Sequence, residues 1–291
     1  MDAFTIRDLE NLTGVKAHTI RIWEQRYGFL HPQRTSTNIR YYSNEELKKI
    51  LNIALLNKYG YKISIIDKMT ESALKEKILA LSNADAQQER VINELIHVMV
   101  DLDIEEFEEI LDQQIHYRGI EKTIIHIIFP FLERVGVLWA TDNINPAQEH
   151  LVSNVIRQKL IVGIDVVNSR LQVDKTVILF LPEGEHHELG LLFVSFLLKC
   201  HGVQMIYLGA DVPLRDLAYV IRSKKPDFVY THLTSAPGGF QIDRFVQHYC
   251  SQNDSTPLVI SGRPAKALRH SSPTVSLIQS FPEVISFINS I

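Results

Sequence analysis

The sequence of 291 residues contains few of the features that mark secreted, membrane or metal-cluster proteins. Its two cysteines, Cys200 and Cys250, stand alone without a CxxC spacing, so neither a disulfide framework nor a zinc knuckle is indicated. The longest apolar stretch, residues 124–132, is interrupted by His126 and Pro130 and is shorter than the roughly 20 residues needed to cross a bilayer. Because no basic leader precedes an apolar segment, we expect a cytoplasmic protein that does not associate with membranes.

The chain also lacks the short motifs of common enzymes. It has no Gly-x-Ser-x-Gly nucleophile motif and no phosphate-cradling loop, so we do not expect an enzyme. Its charge is unevenly distributed, since residues 1–70 carry a net charge of +4 while the whole chain carries -4. A basic head on an acidic body indicates that the head alone meets a polyanion.

The first 70 residues have the pattern of short helices around a turn. Thr5 can cap a first helix, Gly14 supplies a turn, and residues 17–27 are predicted to form a second helix. The polar stretch 30–42 suits a small hairpin or wing. Ser43, followed by Glu46, forms a capping box that begins a third helix. This order predicts a winged helix-turn-helix.

Three blocks of this head resemble the winged helix-turn-helix of MerR-family transcription regulators: residues 5–9 (TIRDL), 19–28 (TIRIWEQRYG) and 40–43 (RYYS). The resemblance implies double-stranded operator DNA as the partner. Major-groove contacts would come from His18, Thr19 and Arg21, and phosphate contacts from Arg34, Arg40 and Tyr41. Asn38 stands where the family often has glycine, and asparagine tolerates the left-handed backbone that such a wing needs.

Residues 87–168 show helical periodicity throughout. Four amphipathic stretches with short connections predict a four-helix bundle. Between the third and fourth helices lie Trp139 and, after nine residues, Glu149-His150. Taken alone, such a tryptophan is usually part of a core, and the Glu-His pair compensates a helix dipole.

From residue 175 onward, strands alternate with helices. The apolar runs that predict strands are residues 177–181, 203–208, 228–233, 258–261 and 275–277. Such a pattern is typical of an open parallel sheet with helices on both faces, in which ligands bind at the carboxyl ends of the strands.

The predicted fold class is therefore multidomain, with α+β and α/β parts. We assign a winged helix-turn-helix domain to residues 1–75, a four-helix bundle that caps the cofactor to residues 85–170, and a Rossmann-like (flavodoxin-like) parallel sheet to residues 174–291.

Three motifs follow the predicted strands. The first is Glu185-x-His187-x-x-Gly190, and a histidine in that place can bind a metal through one ring nitrogen while a carboxylate holds the other. The others are Thr231-His232-Leu233 and Ser261-Gly262. Together they are similar to the cobalamin-binding signature Asp-x-His-x-x-Gly, Ser-x-Leu, Gly-Gly. With the bundle and the MerR-type head, the chain resembles the CarH/LitR group of adenosylcobalamin-dependent photoreceptor repressors.

The resemblance implies a role for each motif residue. His187 would bind the cobalt of adenosylcobalamin, and Glu185 would accept the other ring N–H. The nucleotide tail would be received by Gly190, Thr231, Leu233, Ser261 and Gly262. Trp139 would shield the upper face of the corrin, with Glu149 and His150 around the adenosyl group.

The sequence departs from the group at one position that matters for light. Ala140 follows Trp139, where some of these photoreceptors have a histidine that captures cobalt after illumination, and alanine has no ligand atom. A light-blind or cobalamin-independent regulator of the same fold therefore stays open, as does a regulator that senses a bare metal through the Glu/His cluster at 183–188.

The function that the resemblance implies is repression of transcription under control of adenosylcobalamin and light. The dark protein would bind its operator as a homo-oligomer, a dimer or tetramer, and photolysis of the cobalt–carbon bond would release it.

Overall fold

The computed structural model describes residues 4–140, 144–169, 172–234, 241–253, 255–263, 265 and 272–291. The chain divides into two compact units, Met1–Val155 and Ile156–Ile291. The first unit contains α1 (Ile6–Thr13), α2 (Ala17–Arg26), β1 (Gln33–Arg34), β2 (Arg40–Tyr41), α3 (Asn44–Lys58), α4 (Ile63–Ile66), α5 (Glu71–Leu79), α6 (Ala84–Val100), α7 (Ile104–Arg118), α8 (Ile120–Thr123), a π-helical turn (Ile124–Ile128), α9 (Phe129–Ala140) and the first half of α10 (Pro146–Val166).

The second unit begins within α10. It continues with β3 (Val173–Pro182), α11 (Leu189–Cys200), β4 (Val203–Val212), α12 (Leu214–Lys224), β5 (Phe228–Leu233), α13 (Ile242–Gln252), β6 (Leu258–Gly262), β7 (Val275–Ile278) and α14 (Phe281–Ser290).

Side-chain caps fix where α1 and α3 begin. Thr5 and Asp8 form a capping box at the start of α1, and Ser43 and Glu46 form another at the start of α3. Each pair satisfies two backbone N–H groups that a helix leaves unbonded at its first turn. The cap at Thr5 and the capping box at Ser43 are thus confirmed.

The predicted wing is a two-stranded antiparallel hairpin. Gln33 pairs with Tyr41 and Arg34 with Arg40. At its tip Asn38 has a φ of 65°, the left-handed conformation expected of it, and its Oδ1 accepts a hydrogen bond of 2.7 Å from Arg34. The hairpin is held to the start of the chain by backbone bonds between Phe4 and Tyr42.

The helical region contains a local irregularity with a clear cause. Pro130 has no N–H and its ring would collide with the carbonyl of the preceding turn, and the π-helical turn Ile124–Ile128 lies directly before it. The helix continues as α9 after this adjustment.

Ion pairs tie α3 of the head to the helices of the same unit. Lys48 contacts Asp101 at 2.5 Å, and Lys58 contacts Glu89 at 2.6 Å. Glu89 also faces Arg134 of α9, whose guanidinium donates a 2.6 Å hydrogen bond to Asn93. Burial lowers the pKa of Arg134, and Glu89 acts against that shift.

Five parallel strands form the sheet of the second unit, in the order β4-β3-β5-β6-β7. The chain reverses its direction of strand addition between β3 and β5, which is the switch point where flavodoxin-like sheets bind ligands. The strand β3 is fully buried from Val177 to Leu181 because helices cover both faces.

The predicted fold class is confirmed: a winged helix-turn-helix, a helical region and a flavodoxin-like parallel sheet. The structure adds two helices that the sequence pattern did not indicate, α5 and α14. The division into domains at 1–75, 85–170 and 174–291 stays a prediction. In the part of the chain that the structure describes, no helix is long and apolar enough to span a membrane.

Candidate functional site

The loop after β3 brings a buried carboxylate against an exposed imidazole. Glu185 is only 1% exposed, and its Oε1 lies 2.5 Å from Nδ1 of His187, whose side chain is 59% exposed. The same oxygen accepts the backbone N–H groups of His186 and His187 at 3.0 and 3.1 Å. Because the carboxylate occupies Nδ1, Nε2 is the nitrogen that His187 presents to a ligand.

Neighbouring side chains hold this loop in place. Asp211 accepts the N–H of Gly184 at 2.8 Å, and the backbone N–H of Asp211 donates to the carbonyl of Glu185. Glu188 accepts a 3.0 Å bond from Arg157 of α10 and a 3.2 Å bond from the Tyr207 hydroxyl. The sequence pattern did not indicate these contacts, which join distant segments of the second unit.

A histidine that was not assigned a role lies beside the loop. A Cβ placed on Gly190 would be 2.2 Å from Cδ2 of His232, so the ring packs directly on the glycine. On its other side, Nδ1 of His232 lies 2.9 Å from Oγ of Ser261, which also accepts the Tyr230 hydroxyl at 2.8 Å. Burial lowers the pKa of His232 to about 4, so the ring is neutral at physiological pH.

The predicted tail-binding residues separate onto two faces of the sheet. Side chains alternate along a strand, so Thr231 shares a face with Leu233, and His232 shares the other with Tyr230. Thr231 is fully buried, and its hydroxyl has no hydrogen-bond partner among the described residues. Gly262 has a φ of 98°, and a Cβ there would meet the carbonyl oxygen of Leu233 at 1.9 Å. Gly262 is thus required by strand packing.

The residues predicted to cover the cofactor belong to the first unit. The Trp139 side chain is 47% exposed at the end of α9. Glu149 contacts His150 at 2.9 Å and accepts a 2.5 Å bond from the hydroxyl of Ser153. Their predicted role above the corrin stays a prediction.

The helix-turn-helix presents its predicted base-contacting residues to solvent. His18 and Arg21 are exposed on α2, Thr19 is half-buried, and Ile20 and Trp23 are buried on the opposite face. Trp23 is therefore part of the core, as its position on the apolar face indicates.

Some wing residues are exposed, and others have side-chain partners within the head. Arg34 is exposed, while Arg40 forms an ion pair of 3.2 Å with Glu24, which also accepts the Tyr42 hydroxyl. Tyr41 donates a 2.5 Å bond to the side chain of Gln33. Arg34 is accordingly the wing cation most available to a phosphate.

Two protein families match separate segments of the chain. Residues 4–73 match the family described as MerR HTH family regulatory protein, and residues 91–162 match the one described as B12 binding domain. The chain thus contains a MerR-type helix-turn-helix and a B12-binding domain. The predicted recognition of the head and of a cobalamin-binding region is thus confirmed.

Two curated relatives extend the likeness over most of the chain. The HTH-type transcriptional repressor CarA of Myxococcus xanthus is 28% identical over 263 residues, which cover 90% of this chain and 87% of CarA. The repressor CarH of the same organism is also 28% identical, covering 78% of this chain and 77% of CarH. Among solved structures, the Methanosarcina barkeri monomethylamine corrinoid protein aligns with a TM-score of 0.52 at 16% identity, over 70% of this chain and all of its own; this likeness concerns the fold alone.

The residues around His187 fit a corrinoid better than a bare metal ion. In the ranges that the structure describes, no three His, Cys, Asp or Glu side chains gather into a group that could hold a metal ion. The exposed imidazole of His187, oriented by a buried carboxylate, suits a metal whose remaining ligands come from a macrocycle.

Proposed function

We propose that this MerR-type regulator is a transcriptional repressor whose affinity for operator DNA is set by adenosylcobalamin and light. The observation that carries the proposal is the contact between buried Glu185 and exposed His187 at the switch point of the sheet, in a chain with a MerR-type head. The likeness to two named repressors supports repression as the output.

The proposed roles follow from the chemistry of each side chain. His187 would bind cobalt through Nε2, and Glu185 would fix the tautomer and raise the basicity of the ring. Bound adenosylcobalamin supplies a cobalt–carbon bond that light breaks. The tail would be received near Gly190 and Ser261, with Thr231, Leu233 and Gly262 at the same strand ends.

The bundle and the head have separate proposed tasks. Trp139 would exclude water from the upper face of the ligand, and Glu149 and His150 would hydrogen-bond the adenosyl group. In the head, His18, Thr19 and Arg21 would contact bases, while Arg34, Arg40 and Tyr41 would contact phosphates. Residues 1–75, 85–170 and 174–291 would act as three functional parts.

We infer that the ligand controls DNA binding by controlling self-association. A homo-oligomer brings several weakly basic heads to one operator, so the second head binds at a high effective concentration. The dark, ligand-bound protein would therefore repress, and illumination would release the DNA as the assembly dissociates.

The test uses the purified full chain mixed with adenosylcobalamin in darkness. Absorbance spectra, size-exclusion elution and DNA affinity are recorded before and after green light. We expect a retained corrinoid, a larger dark species and tighter dark DNA binding, all reversed by light. A protein that retains no corrinoid would contradict the proposal.

Two matched variants test which histidine of the loop binds cobalt. His187→Ala should lose most of the retained corrinoid, because it removes the proposed cobalt ligand. His186→Ala removes the neighbouring exposed imidazole and should retain the corrinoid as the wild type does. Equal losses in the two variants would argue against a specific role of His187.

A second candidate is a cobalamin-dependent regulator that does not respond to light. It is favoured by Ala140, which cannot supply the second imidazole found in some photoreceptors of the group. In the same experiment this candidate would retain the corrinoid and bind DNA, with no change in size or affinity on illumination.

A further inference from the structure

The cofactor site contains one side chain whose position conflicts with the proposed path of the nucleotide tail. The ring of His232 lies in the gap between Gly190 and Ser261. A Cβ on Gly190 would be 2.2 Å from Cδ2 and 2.4 Å from Nε2 of that ring, so the ring touches the glycine backbone. No other planar group can lie between His232 and Gly190 in this arrangement.

The ring is anchored on the side that faces Ser261. Its Nδ1 lies 2.9 Å from Oγ of Ser261, and Ser261 is itself buried and held by the Tyr230 hydroxyl at 2.8 Å. Parallel pairing of β5 and β6 puts His232 opposite Ser261. The side chain is therefore fixed by strand register and by a hydrogen bond, which makes its place in the gap a stable feature.

We propose that His232 is a specificity-determining residue that closes the tail slot, the gap between Gly190 and Ser261 in which the nucleotide tail would lie. The inference rests on the proposed cobalamin site and deepens it. The base at the end of the nucleotide tail and the imidazole ring are both flat, and the gap beside Gly190 holds one of them. A corrinoid with a tail binds after His232 leaves Ser261 and turns away, whereas a corrinoid without a tail needs no such movement.

The experiment compares two ligands that differ in the tail. Adenosylcobalamin and adenosylcobinamide, which keeps the corrin and the adenosyl group but lacks the tail, are titrated in darkness into the full chain. His232→Ala should bind adenosylcobalamin about tenfold more tightly than the wild type, the effect expected when one hydrogen bond no longer has to be broken. Its affinity for adenosylcobinamide should be unchanged.

Two further variants complete the experiment, one as a control and one as a second test of His232. His248→Ala removes an exposed histidine of α13 and should bind both ligands as the wild type does. His232→Asn keeps a polar group near Ser261 with less bulk in the gap, and should show a smaller gain for adenosylcobalamin. It preserves the test if His232→Ala does not fold, which circular dichroism will show.

The outcomes separate this inference from the proposed function. If the wild type binds both corrinoids and the His232 variants bind adenosylcobalamin no better, or more weakly, only the slot-closing role is overturned. An equal gain for both ligands would also overturn it, because the ring would then act on something other than the tail. If the wild type binds neither corrinoid, the proposed cobalamin site itself fails.

Discussion

Glu185 and His187 form a contact in which a buried carboxylate oxygen lies 2.5 Å from the ring nitrogen of an exposed imidazole. The carboxylate also accepts two backbone N–H groups of the same loop, so its position does not depend on the ring. A carboxylate that is already oriented can hold the imidazole in one tautomer before any ligand arrives.

This contact predicts that Glu185→Gln will weaken cobalamin retention. Glutamine keeps the length and an acceptor oxygen but removes the negative charge that raises the basicity of the ring. We expect a loss of about 10- to 100-fold in affinity, measured by spectral titration in darkness. Glu183→Gln, at an exposed position of the same loop, should leave the affinity unchanged. Wild-type affinity in Glu185→Gln would contradict a role for its charge.

The packing of Gly190 on His232 predicts a steric effect on stability. Gly190→Ala should lower the free energy of unfolding of the second unit by about 1–3 kcal/mol, because the new methyl group meets the packed ring of His232. In a His232→Ala background the same change should cost much less. Urea unfolding, followed by circular dichroism, measures the double-mutant cycle formed by Gly190→Ala and His232→Ala. Gly136→Ala is the control and should be stabilising, because it lies in a helix with open space at the Cβ position. If the losses of Gly190→Ala and His232→Ala are additive, the contact between these two residues is excluded.

The exposed wing arginine predicts a salt-dependent loss of DNA affinity. Arg34→Ala should weaken binding to any duplex and reduce the slope of log affinity against log salt by about 1, because one phosphate contact is lost. Fluorescence anisotropy across a potassium chloride series measures the slope. Arg215→Ala removes an exposed arginine of the second unit and should not change it. An unchanged slope in Arg34→Ala would place the wing away from the phosphates.

Half-buried His97, whose Nε2 is shielded from solvent, predicts a loss of stability in mild acid. Burial and the nearby Lys48 charge lower its pKa to about 4, so in the folded chain the ring stays neutral. The unfolded chain binds a proton near pH 6.5, so its uptake lowers the free energy of unfolding as the pH falls below that value. The difference between pH 7 and pH 5 should be about 2 kcal/mol for this one group.

His97→Leu should remove that contribution from the pH dependence. Its stability at pH 7 should equal or exceed that of the wild type, since Nε2 of His97 is buried with no hydrogen-bond partner among the described residues. Both tryptophans, Trp23 and Trp139, lie in the first unit, so their fluorescence during urea unfolding reports on it. Exposed His116→Gln is the control, and a pH dependence that persists in His97→Leu would contradict the prediction.

Local signals predicted much of the fold because they act over a few residues. The capping box at Ser43 and the left-handed turn at Asn38 depend on side chains next to the backbone they stabilise. Neither α5 nor α14 was predicted. The segment of α14 is short and rich in β-branched residues, and it packs on α11 through Phe281 and Phe193, whose ring centroids are 5.7 Å apart.

The sequence by itself determined the alternation of strands and helices, the MerR-type head and the loop that carries Glu185 and His187, because each is encoded in a continuous run of residues. Only the tertiary structure decided which motif residues share a face. Strand alternation and the β5–β6 register place Ser261 with His232 and place Thr231 on the opposite side. The ring in the gap beside Gly190 follows from that register and from the close approach of α11, which no spacing along the chain specifies.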